Sequence, residues 1–112
     1  MSMYSYDINW RKTMEAYNDE MIKEISEFFK VFGDPTRMKI LTILLHGKEL
    51  CVNCITDQLE VTQSAISHQL RLLKASGLVK SRRDGKNMYY SLDDEHIASI
   101  LEIAYKHVEH KR

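Results

Sequence analysis

The sequence predicts a mainly α, α+β domain in which several helices surround one small β-hairpin. Three observations carry that prediction. Apolar residues recur at helical spacing along most of the chain. The single Pro and the four Gly fall largely where helices should start or stop. One stretch, residues 78–92, alternates instead, around an Asp-Gly pair that marks a tight hairpin. At 112 residues the chain is read as one domain, 1–112, near the size at which dimerisation adds useful burial.

The elements follow in order. The opening stretch, MSMYSYDINWRKTMEAYNDE, is polar, aromatic and acidic and lacks the apolar run of a signal peptide. Residues 1–30 are read as an N-terminal dimerisation region, with Trp10 and the tyrosines packing across the dimer. Helical periodicity runs from about Asn18 through Ile22, Ile25, Phe28, Phe29 and Phe32 and stops at Gly33. Asp34 then caps a second helix with Pro35 at its first position. That helix carries Met38, Ile40, Leu41, Leu44 and Leu45, and ends at His46-Gly47 with Gly47 as the expected cap and His46 suited to the helix dipole.

A short helix is expected over about Cys51 to Leu59, with Ile55 and Leu59 inward. Thr62 caps the next, QSAISHQLRLLKAS, which Gly77 ends. Its apolar face is Ile66, Leu70 and Leu73; its opposite face presents Gln63, Ser64, Ser67, His68, Arg71 and Lys74. The hairpin runs from Leu78 to Arg83, turns at Asp84-Gly85 and returns from Lys86 to Leu92, with Met88, Tyr90 and Leu92 alternating inward. Two short helices joined by a tight turn, followed by a basic-tipped hairpin, make a winged helix-turn-helix. The core is assigned to 34–92 and its two-stranded β-hairpin wing to 78–92, between N- and C-terminal dimerisation helices.

Net charge is zero, which by itself argues against a nucleic-acid partner. Its distribution reverses that reading. From Arg71 to Lys86 the chain carries Arg71, Lys74, Lys80, Arg82, Arg83 and Lys86 against Asp84 alone, whereas Glu15 to Glu27 is acidic. Ser, Gln, His and Arg side chains can reach base edges and phosphates in a major groove. Gln63, Ser64, Ser67, His68, Arg71, Arg83 and Lys86 are therefore the candidate DNA-binding residues.

Residues 93–112 contain neither Pro nor Gly and read as one amphipathic helix striped by Ile97, Leu101, Ala104 and Val108. Asp94, His96, His107 and His110 lie on it in the spacing D-x-H-x10-H-x2-H. His96 and His107 are eleven residues apart and share a face, but lie roughly 16 Å apart along the axis. Zinc reaches its nitrogens at only about 2 Å, so one helix cannot bring both ends to one ion. Two antiparallel copies can, each giving Asp94 and His96 to the partner's His107 and His110. Asp94 is expected at the helix cap, turned back toward His96. The plainer alternative, solvated histidines that suit the helix C-terminus, leaves the register of Asp94 and His96 unexplained.

The segments FGDPTRMKIL, ELCVNCITDQL and SAISHQLRLLKASGLVKSRRDGKNMYYSL resemble the ArsR/SmtB family of bacterial metal-responsive repressors. The C-terminal ligand spacing is similar to that of its zinc- and cobalt-sensing SmtB/CzrA branch. The resemblance implies a homodimer that holds operator DNA without metal and leaves it when metal binds. Three imidazoles and a carboxylate suit Zn(II), then Co(II), as the regulatory ligand. In the family the ligand helix is also the dimer helix, which agrees with the antiparallel argument.

Cys51 and Cys54 form C-V-N-C at a helix start. Relatives that sense arsenite or cadmium have C-V-C here, completed by further thiols; this chain has Asn53 in that second position, and residues 1–30 contain neither Cys nor His. Two thiolates alone make a poor closed soft-metal site. As an alternative, the pair is a thiol sensor of oxidants or thiophilic ions; the plain reading is two small, partly buried hydrophobes. A zinc hydrolase is excluded because four protein ligands leave no open position for water. No apolar run is long enough to span a bilayer, and two cysteines without a disulfide framework fit the reducing cytoplasm.

Overall fold

The computed structural model of the protein describes residues 18–112. Trp10 and the N-terminal tyrosines assigned to dimer packing lie outside the described residues. The described residues fall into two units, which meet between Lys30 and Val31. Helix α1 (Asp19–Phe32) starts at Asn18, whose Oδ1 accepts the Met21 N–H at 2.8 Å.

Within the second unit, α2 (Pro35–Gly47) begins as its sequence demands, with the Asp34 carboxylate accepting the Arg37 N–H at 2.9 Å. Its end differs from expectation. Gly47 is the last helical residue, and the cap is Lys48 at φ 67°, whose N–H reaches the Leu44 carbonyl at 2.9 Å. Glycine at 47 serves close approach rather than handedness: a Cβ there would lie 2.7 Å from Cδ1 of Leu50.

Strand β1 (Leu50–Cys51) leads directly into α3 (Val52–Gln58). Thr62 caps α4 (Gln63–Ala75), its hydroxyl accepting the Ala65 N–H at 3.2 Å. Gly77, at φ 79°, turns the chain into β2 (Val79–Asp84). β3 (Asn87–Leu92) returns, and α5 (Glu95–His110) packs on α2 and β3.

The hairpin is present, and a third strand joins it. The antiparallel sheet has the order β1-β3-β2, with Leu50 opposite Tyr90 and Cys51 opposite Tyr89. Two residues are too few for an alternating pattern to reveal such a strand. Because β3 is central, Met88 through Leu92 are all half-buried, which corrects the simple inward alternation of Met88, Tyr90 and Leu92. The turn is also displaced by one residue. Asp84 pairs with Asn87, so the two-residue loop is Gly85-Lys86, with Gly85 at φ 64° in the position that a type II′ hairpin reserves for glycine. Lys86 therefore stands at the tip.

The core gathers Ile40, Leu41 and Leu44 from α2, Ile55 from α3, Ile66, Leu70 and Leu73 from α4, and Ile97 and Leu101 from α5. Leu78 and Val79 close it from the sheet side. Burying each such side chain stabilises the fold by about 1.5–3 kcal/mol. Among the described residues no helix is long and apolar enough to cross a membrane.

Candidate nucleic-acid interface and metal-ligand pair

Helix α4 is fixed by its apolar face: Ile66, Leu70 and Leu73 have no accessible surface. With that face satisfied, Gln63, Ser64, His68 and Arg71 are left exposed and Ser67 half-buried. Two side-chain contacts brace the helix from either side. Lys74 Nζ donates to Ser81 Oγ of β2 at 2.7 Å, and the Arg37 guanidinium, which donates to the Val31 carbonyl at 2.9 Å, reaches Gln69 Oε1 at 3.5 Å.

The cations of the wing are not equivalent. Arg82 makes two parallel hydrogen bonds to Glu49, from Nε at 2.7 Å and Nη2 at 2.8 Å, and its guanidinium lies 5.0 Å from the Tyr89 ring centroid. The hydrogen bond from Arg82 holds the Glu49 carboxyl below its ordinary range. Arg82, part of the basic stretch in the sequence, is thus largely neutralised. Arg83 and Lys86 remain exposed and available to phosphate. The Glu49–Arg82 pair spans 33 residues and has no local signature that a sequence pattern could supply.

At the other end, Asp94 caps α5, its Oδ1 accepting the N–H groups of His96 at 2.9 Å and Ile97 at 3.1 Å. The second oxygen is left for the His96 ring, with Oδ2 to Nδ1 at 3.4 Å. The Ile97 N–H is the main reason that the Asp94 carboxyl lies below its ordinary range, aided by hydrogen bonding and charge from His96. Both side chains are open to solvent. His107 and His110 occupy the last turn, also exposed. Among the described residues of one chain, no three His, Cys, Asp or Glu side chains gather at metal-binding range. One chain therefore brings Asp94 and His96 together and does not join them to His107 and His110.

Cys51 is the N-cap of α3, and its sulfur accepts the Cys54 N–H at 3.4 Å. The two sulfurs themselves are hydrogen-bonded at 3.1 Å. That bond, and the backbone N–H with it, pulls the Cys51 thiol below its ordinary range, while the same bond pushes the Cys54 thiol up.

Residues 34–81 match the bacterial regulatory protein arsR family. The chain is 37% identical to a transcriptional repressor SmtB homolog from Synechocystis sp., over 85% of this chain and 71% of that protein. The chain belongs to the arsR family. It is 43% identical to a cadmium resistance transcriptional regulatory protein CadC homolog from Staphylococcus aureus, over 75% of this chain and 69% of that one. Its fold matches the homodimeric winged helix-turn-helix DNA-binding domain of a Mycobacterium bovis protein with a TM-score of 0.75, at 26% identity over 80% of this chain and 82% of that one. This arsR-family protein is a winged-helix, DNA-binding transcriptional regulator and not an enzyme.

Proposed function

We propose that this arsR-family protein is a cytoplasmic zinc-responsive repressor. As a homodimer without metal it holds double-stranded operator DNA, and Zn(II), or Co(II), bound between its C-terminal helices releases it. The observation that carries the reading is the Asp94–His96 pair. Two ligands about 2.05 Å from a tetrahedral ion are themselves about 3.3 Å apart, and Asp94 Oδ2 stands 3.4 Å from His96 Nδ1. Since the other Asp94 oxygen is occupied by the cap, the pair offers one oxygen and one nitrogen. His107 and His110 of a second, antiparallel copy would complete a four-ligand set of borderline donors. Relatives described as an SmtB homolog and as a cadmium resistance regulator support a metal as the regulatory ligand. The nitrogen-rich set favours zinc over softer ions.

On DNA, Gln63, Ser64, Ser67 and His68 would meet base edges, and Arg71, Arg83 and Lys86 the phosphates. Two such helices must fall in major grooves about 34 Å apart. A bound ion would tie Asp94 and His96 of one copy to His107 and His110 of the other, favouring a dimer geometry that no longer meets this spacing. By linkage, operator DNA must weaken zinc binding by the same factor that zinc weakens operator binding.

The test is a mixed dimer of His96→Ala and His107→Ala chains. Each variant alone should lose tight zinc binding, because every symmetric site lacks one ligand. In the mixed dimer both defects fall in one site, and the other regains Asp94, His96, His107 and His110. Zinc stoichiometry should recover to one per mixed dimer, while every variant still binds operator in the absence of metal. A mixed dimer that binds no zinc would sink the intersubunit reading.

A further inference from the structure

The two sulfurs at the start of α3 belong neither to the DNA face nor to the C-terminal ligand set. Both are free thiols with solvent access, Cys51 half-buried and Cys54 exposed, and they already touch at 3.1 Å. Cys51 shares a depression with parts of the proposed DNA face: Gln63 at the head of α4 and Lys86 at the wing tip line it too. We infer that Cys51 and Cys54 form a reversible dithiol–disulfide couple, oxidised by hydroperoxides, that lowers operator affinity independently of metal.

The roles of the two sulfurs differ. Cys51, whose negative form is favoured by the Cys54 thiol and the Cys54 N–H, is the nucleophile. Its sulfur attacks one peroxide oxygen, the O–O bond breaks, and the departing hydroxide (an alkoxide, for an organic hydroperoxide) takes the proton that the Cys51 thiol gave up and leaves as water or alcohol, giving a sulfenic acid on Cys51. Cys54 then loses its proton and attacks the Cys51 sulfur. The S–S bond forms, the S–O bond breaks, and hydroxide leaves with that proton as water. Two thiols have given two electrons to one peroxide.

Reversibility and consequence both follow from the geometry. A bridge between residues three apart closes a very short loop, so it gains little from restricting the unfolded chain and stays open to reduction. Closure brings the sulfurs from 3.1 Å to about 2.05 Å. Cys51 is held in β1 opposite Tyr89 of the central strand, so the first turn of α3 must move. Helix α3 packs on α4, and the displacement reaches the DNA-reading helix.

The test uses the full chain with a chelator present, treated with hydrogen peroxide. The expected product has lost two hydrogens and both free thiols, runs as a monomer on a non-reducing denaturing gel, and returns to the starting mass with a dithiol reductant. Operator affinity should fall about five- to tenfold, within the usual range for coupled sites. Cys54→Ser should stop at a sulfenic acid on Cys51 that a dimedone-type probe captures, and Cys51→Ser, which still caps α3, should react far more slowly. Both variants should keep the operator affinity of the reduced protein, with or without peroxide. Cross-linking between chains, equal reactivity of the two variants, or unchanged operator affinity after oxidation would each overturn the inference.

Discussion

Helices α4 and α5 are both amphipathic, of 13 and 16 residues, yet they complete their packing in different places. In α4 the inward face is covered by its own chain, with Ile66, Leu70 and Leu73 fully buried and only Leu72, off that face, 39% exposed. In α5 Ile97 and Leu101 are buried and Ala98 and Ile100 half-buried; beyond them Ile103, Tyr105 and Val108 remain 66%, 40% and 54% exposed. The difference separates two kinds of site. A polar face can be offered to DNA when its apolar back is already satisfied, so the proposed DNA-reading face is complete in one chain. The second half of α5 carries uncovered apolar surface together with half of the proposed ligand set, and one antiparallel copy would meet both deficits. Dimerisation and metal sensing would then share a surface, which is how an ion could change dimer geometry at all.

The largest effect expected from this contrast is on stability. Leu70→Ala should cost about 2–5 kcal/mol, as a cavity in a closed core does, and should do so at every protein concentration. Val108→Ala should leave the dilute chain almost unchanged and instead lower the Tm only where dimer is populated, because an association that stabilises the fold makes Tm depend on concentration. Thermal unfolding across a wide dilution series distinguishes the two. If Val108→Ala destabilises equally at all concentrations, α5 is packed within its own chain and the contrast fails.

Next in size is the double duty of Asp94. Serine caps a helix about as well as aspartate but offers no carboxylate. Asp94→Ser should therefore keep the unfolding temperature and the metal-free operator affinity, while zinc affinity falls by at least about 10–100-fold, the range seen even for groups that only support a ligand. Titration with zinc and operator gel shifts measure the two halves separately. A parallel loss of stability and metal-free operator binding would assign Asp94 to the cap alone.

Much of this arrangement is legible in the sequence where the governing rule is local. Asp34, Thr62 and Asp94 each announce a helix start because the capping oxygen lies within three residues of the N–H it accepts. The buried face of α4 follows from spacing alone. Contacts across distant segments left no such trace: β1 is two residues long, and Glu49 meets Arg82 only because that strand runs beside β3. The hairpin shows the intermediate case. Asp84-Gly85 and Gly85-Lys86 both contain a glycine able to take positive φ, and strand pairing decided for the second. On α5 the Asp94–His96 neighbourhood could be read from two-residue spacing, whereas joining them to His107 and His110, as proposed, would need a second chain.

On the DNA side, Arg71→Ala, Arg83→Ala and Lys86→Ala should each weaken operator binding and reduce the slope of log affinity against log salt by about 1, the signature of one lost phosphate contact. Ser64→Ala or His68→Ala should change sequence preference with the slope retained. Wing variants with unchanged affinity and slope would remove the hairpin from the DNA interface.

The smallest effect is the one that most sharpens the picture of the wing. Arg82 is tied to Glu49 by two hydrogen bonds and lies against Tyr89, so its charge is balanced before DNA arrives. Glu49→Gln keeps the size of the side chain and removes the negative charge. The released guanidinium sits on the same strand as Arg83, within reach of the phosphates that the wing is proposed to meet. Non-specific DNA binding should tighten modestly, and the salt slope should steepen by up to about 1 as one more counterion is displaced. Arg82→Ala in the parent background should barely alter that slope, because it removes a cation already paired. If Arg82→Ala flattens the slope as much as Arg83→Ala does, the Glu49 pair opens on DNA and Arg82 joins the wing's contacts. If Glu49→Gln changes nothing, Arg82 points away from the duplex, and the basic face of the wing is carried by Arg83 and Lys86.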